Sequence, residues 1–336
     1  MSFHLNLSSV LLVTIVVLFL SPTLVEIPSK TMDCSTIPII PFSTIFSDSP
    51  SEQFIDAMCS FGFVIITEVD PEIVAHAREL KKAARTFFNS PPSQKLAYNF
   101  GPYGNDRGGY TPMNVESVSG TGRDYVESYV FTDTLEFSHH ESQLSASAKT
   151  YFNDMETVIK QLNRLTARGV GKEDDFFNDF FWNDVPGGNG NSLRLSFYPG
   201  KTPTSGLRYG PHTDYQTFTV LCLDQMDHQL GFGGLEVLVD DTWVPVENSP
   251  EGTSLIVNSG DLLPIWTNGL FKSVLHRVSN PTSAEGWNYD RITIPFFSGP
   301  SHTTVVKPVV QPGETTNHSP IGAENHLRMK LNLSNQ

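Results

Sequence analysis

From Ser192 to Phe297 the chain reads as a succession of short apolar runs separated by turn residues, and no other feature limits its possible folds so sharply. S-L-R-L-S-F-Y-P, T-F-T-V-L-C-L, L-E-V-L-V, T-W-V-P-V, T-S-L-I-V-N, S-V-L-H-R-V and R-I-T-I-P-F-F follow one another. Each has the length and the β-branched or aromatic content of a strand, and Asp240-Asp241 and Asn258-Ser-Gly260-Asp261 supply turn chemistry between them. With no helical run to carry a crossover, consecutive strands point to a sandwich or jelly roll and away from a parallel βαβ sheet.

Upstream the periodicity is mixed. I-P-I-I-P-F at residues 37–42 and F-G-F-V-I-I-T at 61–67 read as strands, and F-I-D-A-M-C from Phe54 reads as a short helix. Val74, Ala77, Leu80, Ala84 and Phe87 recur at helical spacing over residues 71–88, and Pro91-Pro92 ends that run. A second helix is expected over residues 144–168, with Tyr151, Met155, Val158, Leu162 and Leu165 on one face, backing a sheet. Between them the Gly-rich stretch 99–122 is too polar for core and has the length of a lid or binding loop. Residues 323–331 suit a C-terminal helix. The expected organisation is a leader at 1–30, an α/β region at 36–185, a β core at 190–305 and a tail with a short helix at 306–336.

A net charge of −14 and a pI near 5.1 repel nucleic-acid phosphates and leave a small molecule as the expected partner of a monomer. Cys34, Cys59 and Cys222 are odd in number and lack metal-type spacing, so neither a disulfide framework nor a zinc cage is expected. Residues 10–20, V-L-L-V-T-I-V-V-L-F-L, are too short for a membrane span and suit the apolar part of a signal peptide or signal anchor. That segment predicts the secretory pathway or endoplasmic reticulum, with membrane association only through the leader, and otherwise a cytoplasmic protein. The sequons at Asn317 and Asn332 matter only in the first case.

The chemistry begins at residues 210–224, G-P-H-T-D-Y-Q-T-F-T-V-L-C-L-D. His212 and Asp214, two apart before the alternating Phe218, Val220 and Cys222, present an imidazole and a carboxylate on one face if they are themselves extended. His276 lies on a later strand, and strands distant in sequence line one cavity in a jelly roll. Together these residues make the two-histidine, one-carboxylate set of non-haem Fe(II) oxygenases, which leaves one face of the metal open for a chelating co-substrate and O2. Zinc competes for such ligands, but the open face suits iron redox chemistry better. Arg291 and Thr293, again two apart on a strand, offer a guanidinium fork and a hydroxyl to one carboxylate of a dicarboxylate, and Tyr198 adds a phenolic donor. Phe297 shares their parity and is a candidate substrate wall, with Tyr110, Arg123, Tyr125 and Glu127 from the lid region as further candidates.

The order Y-P, H-T-D, G-D-L-L-P-I-W-T-N-G-L-F-K-S-V-L-H-R-V and R-I-T resembles the 2-oxoglutarate and Fe(II)-dependent dioxygenases of the isopenicillin N synthase-like family. I-P-I-I-P-F, F-G-F-V-I-I-T and F-F-N-S-P-P-S-Q-K extend the similarity upstream, so that it covers residues 37–331. The resemblance implies a distorted double-stranded β-helix (jelly-roll) core with an N-terminal helical region, mainly β with helices. It implies Fe(II) on His212, Asp214 and His276, and 2-oxoglutarate gripped by Arg291 and Thr293 with help from Tyr198. It also implies hydroxylation or desaturation of a small molecule, with release of succinate and CO2. Two departures stand out: Ser196 and Phe197 replace the family's amide and tyrosine, and S-A-E-G-W-N-Y lengthens the interval between His276 and Arg291. The alternatives are an isopenicillin N synthase-like oxidase that uses O2 without 2-oxoglutarate, and a non-catalytic jelly-roll binding module.

Overall fold

The computed structural model describes residues 36–48, 52–99, 108–116, 124–132, 143–182, 188–200, 207–223, 234–246, 252–280 and 289–333. The leader, Cys34, Arg123 and most of the S-A-E-G-W-N-Y segment lie outside the described residues. The chain divides into a unit of residues 1–33 and a unit of residues 34–336. Among the described residues no helix is long and apolar enough to cross a membrane.

The larger sheet has nine strands among the described residues. From one edge it runs β1 (Ile39–Pro41), β2 (Phe63–Thr67), β10 (Ser254–Ser259), β7 (Phe218–Leu223), β13 (Phe296–Ser298), β5 (Ser192–Tyr198), β4 (Glu127–Thr132) and β3 (Gly109–Thr111), with β12 (Arg291–Thr293) also paired to β5. Apart from the parallel pair β1–β2, every one of its ladders is antiparallel. The smaller sheet has the order β6 (Tyr209–His212), β11 (His276–Val278), β8 (Leu235–Val239) and β9 (Thr242–Pro245). A short ribbon, β14 (Val305–Val306) with β15 (Ile321–Gly322), follows. This is the jelly-roll core. Strands β1 to β4, contributed by the upstream region, complete the same sheet that the core begins.

One face of the large sheet carries the hydrophobic core. Successive side chains alternate across a strand, so β5 sends Leu193, Leu195 and Phe197 to that face and Arg194, Ser196 and Tyr198 to the other. On β7, Phe218, Val220 and Cys222 take the core side, and Thr219 and Leu221 the opposite one. The helices Pro71–Phe88 and Gln143–Gly169 cover the apolar face, where Phe88 stacks on Phe197 at 5.2 Å and Phe152 meets Phe296 edge-on at 4.9 Å. Asp70 starts the first of these helices by accepting the Glu72 N–H at 2.8 Å, with Pro71 pre-set in the first turn. Burying such aromatic and aliphatic side chains contributes about 1.5–3 kcal/mol each.

Three expectations change here. The stretch 99–122, expected to be a polar loop, contains β3, and Tyr110 within it is buried because β3 pairs with β4 beside Phe87. The run R-I-T-I-P-F-F is two strands: it breaks at Ile294-Pro295, where the Pro295 carbonyl accepts the Arg194 N–H at 2.9 Å. Proline has no N–H to give a ladder, so the break falls where the sequence puts it. Finally, His212 and Asp214 do not share a strand. His212 ends β6 in the small sheet, and Asp214 lies in the link that crosses to β7 in the large one.

Candidate functional site

The crossing between the sheets brings the three candidate ligands together. His212 and His276 are directly opposite each other in the antiparallel pair β6–β11, with ring centroids 4.2 Å apart. Asp214 Oδ1 lies 3.8 Å from His212 Nε2 and 3.7 Å from His276 Nε2, and the ligand atoms of all three residues lie within 4.8 Å of one another. Both Asp214 distances fall within the reach of two ligands held at about 2 Å from one ion.

Each ligand is oriented by a second contact. The His212 Nδ1–H donates to the Gly210 carbonyl at 2.8 Å, and the His276 Nδ1–H donates to the Val274 carbonyl at 3.2 Å. Both rings therefore keep Nε2 as a lone-pair donor aimed at the shared centre. Asp214 Oδ2 accepts from Thr219 Oγ1 at 2.6 Å and from Asn258 Nδ2 at 2.5 Å, which leaves Oδ1 for the centre. Burial, joined by the neighbouring His276, pushes the His212 imidazole well below its ordinary range, so it is neutral and ready to ligate. Burial works the other way on Asp214, but His276, His212 and the two hydrogen bonds outweigh it and keep the carboxyl ionised. Two imidazoles and one charged carboxylate are the donor set that an open-faced Fe(II) site uses.

The block G-D-L-L, which follows Asn258, clamps this loop. The N–H groups of Gly260, Asp261 and Leu262 donate to the carbonyls of Thr217, Asp214 and Gln216 at 2.6, 2.8 and 2.9 Å. A Cβ on residue 260 would sit 2.6 Å from Gln216 O and 3.1 Å from Asp214 O, backbone atoms that cannot rotate aside. Gly260→Ala is therefore expected to cost about 1–3 kcal/mol and to weaken Fe(II) binding. Chemical denaturation and anaerobic Fe(II) titration read the two effects; unchanged values in both would mean that the loop yields freely. Asp261 ties the loop to the C-terminal helix Ala323–Leu333: its Oδ2 is 2.7 Å from Lys330 Nζ and 3.4 Å from His326 Nε2. Burial opposes ionisation, yet His326, Lys330 and Thr213 hold the Asp261 carboxyl far below the ordinary carboxylate range.

The triad opens onto a cavity of about 330 Å³ between the sheets, within the usual size of small-molecule sites. Arg291, Thr293, Tyr198 and Phe297 all line it. Arg291 and Thr293 sit opposite Tyr198 and Ser196 in the β12–β5 ladder. The Arg291 guanidinium is 5.9 Å from the Tyr198 ring centre, and its Nε and Nη1 have no hydrogen-bond partner in the protein although the residue is 3% exposed. Buried donors of this kind are normally satisfied. An anion entering the cavity would satisfy them. Burial keeps the Tyr198 phenol protonated against the pull of Arg194 and Arg291, so it can donate. Ser196, one of the two departures, also lines the cavity and accepts from Arg194 Nε at 2.9 Å; Phe197, the other, faces the core.

Tyr110 and Glu127 do not line this cavity. Glu127 pairs with Phe197 in register, which places it on the core face of β4. There it accepts from Lys95 Nζ at 2.6 Å and from the Tyr110 hydroxyl, forming a buried cluster under the helix Pro92–Leu96. The cavity face of β4 belongs instead to Val130 and Thr132. Tyr125 is half-buried and is also absent from the cavity wall, and Arg123 lies outside the described residues. Sequence reading missed Asn258 and Thr219 as holders of the carboxylate, Arg194 with its partner Glu116 at 2.7 Å, and Leu327 and Leu331 of the C-terminal helix as wall. Strand parity already marked Arg194, which shares a face with Ser196 and Tyr198. The helix contribution had no local signal.

Two family models match this chain: the 2OG-Fe(II) oxygenase superfamily over residues 189–300, and the N-terminal region of non-haem dioxygenases of morphine synthesis over residues 37–153. Gibberellin 20 oxidase 4 of Arabidopsis thaliana is 29% identical over 321 residues, covering 84% of this chain and 76% of that protein. The 2-oxoglutarate-Fe(II) type oxidoreductase ppzD of Metarhizium rileyi is 28% identical, covering 84% and 85%. Among solved structures, JOX2 in complex with 2-oxoglutarate, iron and JA superposes with a TM-score of 0.73 at 25% identity, over 89% of this chain and 86% of that one. A 2OG-Fe(II) oxygenase family protein from Caulobacter crescentus gives 0.70 at 25% identity, over 89% and 99%. Matched in both halves of its sequence and carrying a His-Asp-His cluster in a jelly roll, the chain belongs to the 2-oxoglutarate and Fe(II)-dependent oxygenase superfamily.

Proposed function

We propose that this protein is a dioxygenase that hydroxylates or desaturates a small organic molecule of specialised metabolism, with His212, Asp214 and His276 as its iron ligands and Arg291 and Thr293 as the receptor for 2-oxoglutarate. The observation that carries the reading is one cavity walled by both the triad and a buried guanidinium with two unpartnered N–H groups. Several relatives are named for gibberellin or feruloyl CoA oxidation, which supports a small-molecule substrate.

When bound, iron and 2-oxoglutarate supply the activation of O2, so that R–H, 2-oxoglutarate and O2 give R–OH, succinate and CO2. The chain's own residues fix geometry. The Gly210 and Val274 carbonyls hold the imidazoles, and Thr219 and Asn258 hold the carboxylate oxygen that faces away from the centre. Arg291, Thr293 and Tyr198 orient the dicarboxylate from the opposite strands. Leu221, Leu235, Val278, Phe297, Leu327 and Leu331 keep water from the space beside the triad.

The reading is tested by loading the protein with Fe(II) without oxygen, then measuring O2 uptake and succinate with and without 2-oxoglutarate. Uptake that requires 2-oxoglutarate and yields equimolar succinate is expected. Uptake indifferent to 2-oxoglutarate would replace the reading with an oxidase, and no uptake would leave a binding module.

A further inference from the structure

We propose that Gln216 is a specificity-determining residue whose side-chain amide hydrogen-bonds a polar group of the organic substrate, from a slot made by Gly299 and Gly190. The proposal rests on the dioxygenase reading and names a contact that its unidentified substrate must make.

Gln216 lines the cavity two residues after Asp214. Its backbone is pinned on both sides: its carbonyl takes the Leu262 N–H at 2.9 Å, and the next residue, Thr217, donates through N–H and Oγ1 to the Ser298 carbonyl at 2.9 and 2.6 Å. The side chain therefore starts from a fixed point. It lies along Gly299, with Oε1 1.2 Å from the place a Cβ on that glycine would occupy and 2.9 Å from the corresponding place on Gly190. Any other residue at 299 would evict the amide. These two glycines are spaces shaped to Gln216.

The slot positions the amide without satisfying it. The Gly190 N–H already donates to the Gly299 carbonyl at 2.9 Å, and the Gly299 N–H donates to Asn191 Oδ1 at 3.2 Å. The neighbouring Asn189 and Asn191 give their amide N–H groups to Glu156 Oε1 at 3.0 and 3.1 Å. Among the described residues the Gln216 amide itself has no hydrogen-bond partner in the protein. It carries two donors and one acceptor, in a cavity whose remaining wall includes Leu221, Leu235, Phe297 and Leu327. Once a substrate displaces water there, the amide is left unpaired unless the substrate supplies a partner. An apolar molecule is thereby disfavoured by about 10–100-fold, since an unsatisfied buried group costs roughly 1–3 kcal/mol. The substrate this site favours has a largely apolar body bearing a hydroxyl, carbonyl or amide that reaches Gln216.

The test takes acceptors from a set of small metabolites that includes thymine, jasmonic acid and feruloyl-CoA, scored by acceleration of succinate release by the Fe(II)-loaded enzyme. For accelerating compounds, Gln216→Leu is expected to raise KM at least tenfold, with substrate-independent succinate formation and the KM for 2-oxoglutarate unchanged. Gly299→Ala, which keeps the amide but evicts it, should give the same shift, and the double variant should add little to either single one. An unchanged KM in Gln216→Leu, or fully additive effects in the pair, would overturn the proposal. Loss of succinate from wild-type enzyme under all conditions would instead sink the dioxygenase reading on which it rests.

Discussion

His276→Ala is expected to abolish retention of Fe(II) and to lower succinate formation by well over 100-fold, with the fold intact. Removing a group that merely hydrogen-bonds a metal ligand typically costs 10–100-fold in metal affinity or activity, and His276 is proposed as a ligand itself. Its Nε2 is 3.7 Å from Asp214 Oδ1 and its ring 4.2 Å from that of His212, so without it two donors remain of the set. Global structure should survive because β11 is held to β6 and β8 by backbone pairing, which alanine retains. The lost packing is the edge contact with Phe63 at 5.5 Å, worth about 0.5–1.5 kcal/mol. Anaerobic iron titration and circular dichroism check the two halves of the expectation. Wild-type iron content and turnover in this variant would remove the triad as the metal site. Asn258→Ala provides the graded comparison: it frees Asp214 Oδ2 from a 2.5 Å hydrogen bond and should fall in the 10–100-fold range.

What the sequence discloses about this site depends on whether the deciding contacts are local. Arg194, Ser196 and Tyr198 alternate with Leu193, Leu195 and Phe197, so the two faces of β5 can be read directly from seven residues. The ligand types at 212, 214 and 276 are equally legible, because few combinations of side chains suit an open-faced iron. Their assembly is not, since it needs the pairing of His212 with His276 across a small sheet and a link that leaves that sheet for the other. Glu127 shows the opposite failure. A carboxylate in E-S-Y-V-F-T looks like a cavity residue because charge is seldom buried. It lies on the core face nonetheless, because Lys95, thirty-two residues away, neutralises it. The slot for Gln216 likewise depends on glycines at 190 and 299, neither of which is near it in sequence.

Arg291 separates ligand binding from folding in a way that makes its replacement informative. The residue is 3% exposed, its guanidinium leaves Nε and Nη1 unpaired, and it lies close enough to Arg208 that burial together with this like charge pulls the latter down to about 10. A buried charge without a full set of partners is a burden on the unliganded fold. Arg291→Leu is therefore expected to leave the ligand-free protein as stable as wild type or more so, while raising the KM for 2-oxoglutarate by about 100-fold or more, the scale of breaking a buried charge pair. Iron binding should be untouched, because neither imidazole nor Asp214 takes a hydrogen bond from Arg291. Arg291→Lys should recover part of the affinity, as a point charge replaces a planar fork. Thermal denaturation reads the ligand-free stability and the binding of 2-oxoglutarate together. At 100 times its dissociation constant, 2-oxoglutarate stabilises the wild-type protein by about 2.7 kcal/mol, and at that concentration the leucine variant should show almost no shift. A leucine variant still stabilised by 2-oxoglutarate as strongly as wild type would place the far carboxylate elsewhere in the cavity, with Arg194 the next candidate on its wall.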